Sequence, residues 1–474
     1  MTVLLLANVG LRDLLYRGDL IDPARIRGEA LLRDFSSVAG EITLPVLMPL
    51  VQYVLDRHQK VQVTLFATDQ PMGTPAAERD RDTLYLAEIA KRVLDSRFSP
   101  RDCQASARKI RESNPHLYDD MLTFFRERLP SEEAGVREME GCYVGMVGGT
   151  PAANTGLMLA AIERFGDRCR TLYLPKGEQR PIQMDIGSQI QSNLTKRVAA
   201  EWLRSCAFVE ALPLLKEMDA PRWVTGVVQY AAARYHFDFD LASAALEDMA
   251  IPATAGNRDA RERCRRLGED LSALRKNELP ALIRELHYNA QTAHRRGEYA
   301  AFLGLVFRFH EAVLRYIVEE AYPGLSTDVK RKADKERFRK ELTKWSGLVD
   351  YLASQEVDGQ PLDYREPTVR VLEAMVRYLW ERGQIPVEQD RRGQFQSAYD
   401  RLTRLRRLSQ LRNNSAIAHG FEGVSEKRIL DEYDRGGGAG HPLEDMATAL
   451  EALGIPLGGD PFEKAARLAL EGLK

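Results

Sequence analysis

Residues 142–160 read CYVGMVGGTPAANTGLMLA: an apolar run of strand type, two glycines and a threonine, then a proline opening a segment of helical periodicity. Gly148 and Gly149 allow a tight turn and close approach of the backbone to a ligand. The first turn of the following helix offers free N–H groups to an anion, which suits a nucleotide phosphate. The same residues also serve as a plain helix cap, and the segment by itself leaves both readings open. It lacks the G-x-G-x-x-G spacing and does not fall in the first strand–helix unit, which disfavours a dinucleotide redox enzyme.

Strand-like runs surround this turn: VLLLA (3–7), VQVTLFA (61–67) and CRTLYLP (169–175), with helix-like segments DTLYLAEIAKRVLDS (82–96) and AANTGLMLAAIERFG (152–166) between them. Such alternation is the pattern of a parallel sheet covered by helices, a Rossmann-like α/β domain. The first strand runs into ANVGLRD (7–13), so Asn8 and Gly10 are expected beside the glycine turn at the carboxyl edge of the sheet, where ligands of open α/β sheets bind.

From about residue 195 the strand signals stop and amphipathic helical segments follow, with breaks expected at Pro213, Pro221, Pro252 and Pro280. The expected domains are 1–194 (α/β), 195–280 (an all-α connector) and 281–474 (an all-α bundle). With Lys plus Arg at 67 and Asp plus Glu at 69, the net charge is -2, so any nucleic-acid surface must be local. The five cysteines are scattered without a C-x-x-C pair, as expected of a reducing, cytoplasmic setting. The N-terminal apolar run reads as a buried strand rather than a leader, and no apolar stretch approaches the roughly 18–20 residues of a membrane span.

The basic segment KRKADKERFRK (330–340) reads as a solvated helix face or as an RNA contact, and RGGGAG (435–440) as a surface loop. His287 and His294 lie seven apart on an expected helix without a third zinc ligand nearby in sequence, and His441 reads as a loop residue, so no metal site is expected.

The second decisive stretch is LRNNSAIAHG (411–420). On a helix over 395–419, Arg412 and His419 differ by about 700° and share one face. Leu402, Leu405, Leu408 and Leu411 form a core stripe, while Arg401, Arg404, Arg406 and Arg407 make a local cationic surface. A permanent cation beside an imidazole that titrates near neutrality suffices for RNA cleavage without a metal. The alternative reading is a surface arginine and a histidine at a helix end closed by Gly420.

R-N-N-S-x-x-A-H-G resembles the R-x4-6-H motif of HEPN ribonucleases, with Asn413 following the arginine. The strand ending in GGTP, the ANVGLRD turn and ATDQP (67–71) resemble a CARF sensor domain, and YHFDFDLASAAL (235–246) is similar to the helical connector of CARF–HEPN proteins. Together they resemble the type III CRISPR ancillary ribonucleases activated by cyclic oligoadenylate. The resemblance implies a CARF domain, a helical connector and a HEPN domain in a homodimer. Arg412, Asn413 and His419 would be catalytic in cutting single-stranded RNA by 2′-hydroxyl attack. Asn8, Gly10, Gly148, Gly149, Thr150 and Lys176 would contact the activator, expected to be cyclic tetra-adenylate, and some CARF domains also degrade it. No cofactor is implied. A non-catalytic CARF sensor whose helical half binds a partner protein is the rival expectation.

Overall fold

The computed structural model describes residues 2–111, 114–130, 139–249, 258–357, 359–386, 392–415, 420–435 and 440–473. The chain divides into two compact units, Met1–Thr195 and Lys196–Lys474.

The first unit is built on a six-stranded sheet. Its strands are β1 (Thr2–Asn8), β2 (Lys60–Thr68), β3 (Cys103–Ile110), β4 (Met139–Gly145), β5 (Cys169–Tyr173) and β6 (Ile182–Met184), in the order β3-β2-β1-β4-β5-β6. All neighbours are parallel except the edge pair β5–β6. Both faces are covered, and the period-2 alternation of a strand divides β1 between two cores. Val3, Leu5 and Ala7 join one cluster with Val61, Val63 and Leu65; Leu4 and Leu6 join the other with Phe66, Cys142 and Val144. The second cluster is closed by helix α1 (Pro151–Phe165), through Ala153, Leu157, Ala161 and Phe165.

Strand order reverses at β1: the chain fills β2 and β3 on one side, then returns to β4 on the other. The carboxyl ends of β1 and β4 therefore flank the crevice of an open α/β sheet, the position at which such sheets bind ligands.

Among the described residues the second unit is helical, apart from a two-residue pairing of Glu356–Val357 with Gln360–Pro361 and an isolated bridge between Ser415 and Glu422. Its elements include α2 (Arg222–Tyr235), α3 (Leu279–Arg295), α4 (Tyr299–Ala321), α5 (Val369–Glu381), α6 (Arg392–Leu405), α7 (Leu408–Asn414), α8 (Glu426–Asp434) and α9 (Pro442–Ala452). One core gathers α4, α5, α6, α7 and α9; a second joins α2 to the terminal helix Pro461–Gly472, whose Phe462, Ala465 and Ala469 are fully buried in it. The end of the chain thus completes the core of the 199–281 stretch. Buried Arg234 of α2 crosses that core and is fully partnered, by Glu285 of α3 at 2.6 Å and Asp270 at 2.7 Å.

Pro221 and Pro280 stand at helix starts, where a missing N–H costs nothing, but Pro213 lies inside the helix Phe208–Glu217, so no break occurs there. Pro252 lies outside the described residues. The basic stretch becomes the helix Lys332–Leu342, with Phe338 and Leu342 buried and Lys335 paired to Glu366.

Candidate functional site

Two places carry the polar residues singled out in the sequence, one in each unit.

In the α/β unit, Asn8 closes β1 and the turn 146–149 follows β4. These backbones touch. A Cβ on Gly148 would sit 2.0 Å from the carbonyl oxygen of Asn8 and 2.0 Å from Oδ2 of Asp13, so only glycine fits. Gly149 adopts φ +76° and is exposed, and a Cβ on Gly10 would lie 2.7 Å from its nitrogen. Thr150 caps α1, its Oγ1 accepting from the Ala153 N–H at 3.1 Å, and its hydroxyl donates to the Pro115 carbonyl. The structure therefore brings Asn8, Gly10, Gly148, Gly149 and Thr150 into one interlocked turn. Lys176 is exposed in the turn after β5, one strand further along the same sheet edge, and forms no ion pair among the described residues.

Asn8 differs from its expected role. It is only 2% exposed and its amide donates to Asn154 Oδ1 at 2.9 Å, so its side chain braces β1 against α1 rather than facing a ligand. Asp13, which the sequence reading passed over, accepts the Gly10 N–H at 2.7 Å. Burial pushes its carboxyl up to about 7, against the lowering effect of that hydrogen bond. Along the same edge, Asp69 of the ATDQP stretch is held by Arg25 and Arg111, each at 2.9 Å.

In the helical unit, Leu402, Leu405, Leu408 and Leu411 are all buried, as the stripe requires. The single helix over 395–419 is not formed. It breaks at 406–407 between α6 and α7 and ends at Asn414, with Ser415 extended at φ -87°, ψ 166°. The seven-residue helical spacing therefore does not relate Arg412 to His419, which lies outside the described residues. What the sequence missed is the closure: Gly420 donates to the Ser415 carbonyl at 3.2 Å and Glu422 to that of Asn414 at 2.9 Å. A Cβ on Gly420 would meet the Asn414 carbonyl oxygen at 2.0 Å.

Arg412 sits in the last turn of α7. Asn413 Oδ1 accepts from its Nε at 3.1 Å and its Nη2 at 2.5 Å, and its guanidinium lies 3.8 Å from the centroid of the Phe307 ring on α4. Among the described residues no carboxylate pairs with it. Partial burial, and then the like charge of Arg308, pull its pKa below the ordinary arginine value. The guanidinium is thus oriented by Asn413 and Phe307 and makes no ion pair among the described residues, while the charge of Glu311 partly offsets the lowering of its pKa.

The neighbouring arginines depart from the expected cationic surface. Arg401 and Arg404 both pair with Asp445 at 3.1 Å, Asp445 also accepts from Tyr433, and Arg406 pairs with Glu373 at 3.1 Å. Three of the four charges are thus spent on internal ion pairs.

No protein-family profile matches the chain, and no curated protein matches it. A solved structure does: Enterococcus italicus Csm6 bound to cyclic hexa-2′-fluoro-hexa-dAMP, at 14% identity and TM-score 0.55, covering 99% of each chain. The two chains share one fold. The likeness to Csm6 extends over both units, from the parallel sheet through the helical half. No helix among the described residues is long and apolar enough to cross a membrane.

Proposed function

We propose that this protein is a CARF–HEPN effector of type III CRISPR antiviral defence, a cytoplasmic homodimer that cuts single-stranded RNA when its α/β unit binds a cyclic oligoadenylate. The observation that carries the reading is Arg412, stacked on Phe307, oriented by Asn413 and unpaired with any described carboxylate. The Csm6-like fold around it supports the assignment. In this reading residues 1–194 are the sensor, 195–280 the connector and 281–474 the HEPN domain.

The chemistry needs no metal or cofactor. A 2′-oxygen attacks the adjacent phosphorus, the P–O5′ bond breaks, and the products carry a 2′,3′-cyclic phosphate and a 5′-hydroxyl. His419 takes the 2′-hydroxyl proton or protonates the leaving 5′-oxygen, and Arg412 stabilises the negative charge gathering on the phosphorane. One imidazole does not readily serve as acid and base at once, so a site assembled from two subunits supplies both. At the sensor, Gly10, Gly149, Thr150 and Lys176 contact the activator, while Gly148 and Asn8 shape the turn beneath it.

The test is to offer cyclic tri-, tetra- and hexa-adenylate separately while following a fluorescent RNA reporter. Activation is expected with the tetra-adenylate. Binding of a cyclic ligand without cleavage of any RNA would favour a non-catalytic sensor whose helical half engages a partner protein.

A further inference from the structure

The helical unit gathers three side chains that are remote in sequence. His294 lies in the last turn of α3, Glu426 is the first residue of α8, and His441 is the N-cap of α9. Nε2 of His441 is 3.2 Å from Nε2 of His294, which is 3.3 Å from Oε1 of Glu426, and one donor atom from each of the three residues lies within 4.8 Å of the other two. Zinc bonds of about 2.0 Å in tetrahedral geometry set neighbouring ligand atoms about 3.3 Å apart. Two edges of such a tetrahedron are therefore already formed. Glu426 is half exposed, one of its oxygens facing His294 and the other Tyr299, and a side-chain rotation about these contacts closes the third edge.

We propose that His294, Glu426 and His441 bind a divalent cation of zinc type, which ties the starts of α8 and α9 to the end of α3. The set is two imidazoles and a carboxylate, a donor combination suited to zinc, with water for a fourth ligand on the open side. The surroundings hold the ligands in place. The Tyr299 hydroxyl donates to the other oxygen of Glu426 at 3.3 Å, and the rings of Tyr299 and buried Phe302 stand edge-on to His294 at 5.8 and 5.3 Å.

One bond opposes the ion. Nδ1 of His441 accepts the Leu443 N–H at 3.2 Å, so the metal-free ring carries its proton on Nε2 and donates it to His294. Metal binding takes the Nε2 lone pair, moves that proton to Nδ1 and gives up the cap. The site uses none of the residues assigned to RNA cleavage and does not rest on that assignment.

The test is calorimetric titration of zinc chloride into chelator-stripped, full-length protein, with thermal unfolding followed in parallel. One ion per chain and a zinc-dependent rise in melting temperature are expected. Glu426→Gln, on an exposed side chain, and His441→Asn, which retains a capping oxygen, are each expected to weaken uptake about tenfold or more and to abolish the rise. Absence of zinc uptake by the wild-type chain would show the cluster to be a hydrogen-bonded histidine pair and overturn the proposal. Equal uptake by the wild type and both variants would overturn it too, by placing the ion elsewhere.

Discussion

The guanidinium of Arg412 lies over the ring of Phe307, 3.8 Å from its centroid, and this contact joins the end of α7 to the middle of α4. Stacking fixes the plane of the fork, and the Asn413 amide oxygen occupies its Nε edge, leaving the remaining N–H groups for a phosphate. A lysine keeps the charge but neither stacks nor presents a planar fork. Arg412→Lys is therefore expected to reduce activator-stimulated RNA cleavage by about 100-fold or more. Phe307→Leu keeps the apolar surface and loses only the stack, with an expected drop of about tenfold or less. Initial rates on a fluorescent RNA reporter check both, and wild-type rates in Arg412→Lys would show that a point charge is enough.

Gly420 fits against the Asn414 carbonyl where no Cβ can. Gly420→Ala is expected to push residue 420 away from the Asn414 carbonyl, lowering stability by about 1–3 kcal/mol and abolishing cleavage while leaving activator affinity unchanged. Urea unfolding and calorimetry with the cyclic ligand read the two effects separately.

Gly148 makes the matching close approach in the α/β unit, against Asn8 and Asp13. Gly148→Ala is expected to weaken activator binding at least about tenfold, because the turn must shift by more than an ordinary contact tolerates. Calorimetry showing undisturbed affinity would mean that the ligand does not use this turn.

Asp13 gives the α/β unit a pH dependence of known sign. Its carboxyl is pushed up to about 7 when folded, against an ordinary value of 3.8, so between these values the folded state holds a proton that the unfolded state has lost. Its contribution to stability is fully present below about pH 4, declines as pH rises, and is gone above about pH 7. Asp13→Asn should remove that slope and stabilise the protein at pH 8 by an amount on the order of a few kcal/mol. Urea unfolding of both proteins at several pH values checks this, and parallel curves would contradict it. A phosphate bound at the adjacent turn should also favour protonated Asp13, so activator affinity is expected to fall as pH rises through neutrality.

The parts of the fold that were legible in sequence are those with a one-residue or one-turn period. β1, β2, β4 and β5 announced themselves as apolar runs because each is buried on two faces. β3 did not: CQASARKI sits at the sheet edge and buries only its two ends fully, so no apolar run marks it. The glycine turn and Thr150 were readable because their neighbours along the chain report on them. Asp13, Asn154, Phe307 and the His294–Glu426–His441 cluster were not, since each gains its meaning from residues brought near only by tertiary structure. The helix expected to carry Arg412 and His419 together failed for a related reason. The helix stops at Asn414, where Ser415 turns extended and the N–H groups of Gly420 and Glu422 take up the Ser415 and Asn414 carbonyls, and that closure outweighs the local helical pattern.

The central claim is that Arg412 and His419 cut RNA on command of a ligand bound to the α/β unit. The direct measurement is cleavage of single-stranded RNA in chelator, with saturating cyclic oligoadenylate, by the wild type and by His419→Ala at a temperature where both are folded. The expected result is activator-dependent cutting that leaves 2′,3′-cyclic phosphate ends in the wild type and is lost in the variant. Full activity of folded His419→Ala would contradict the claim.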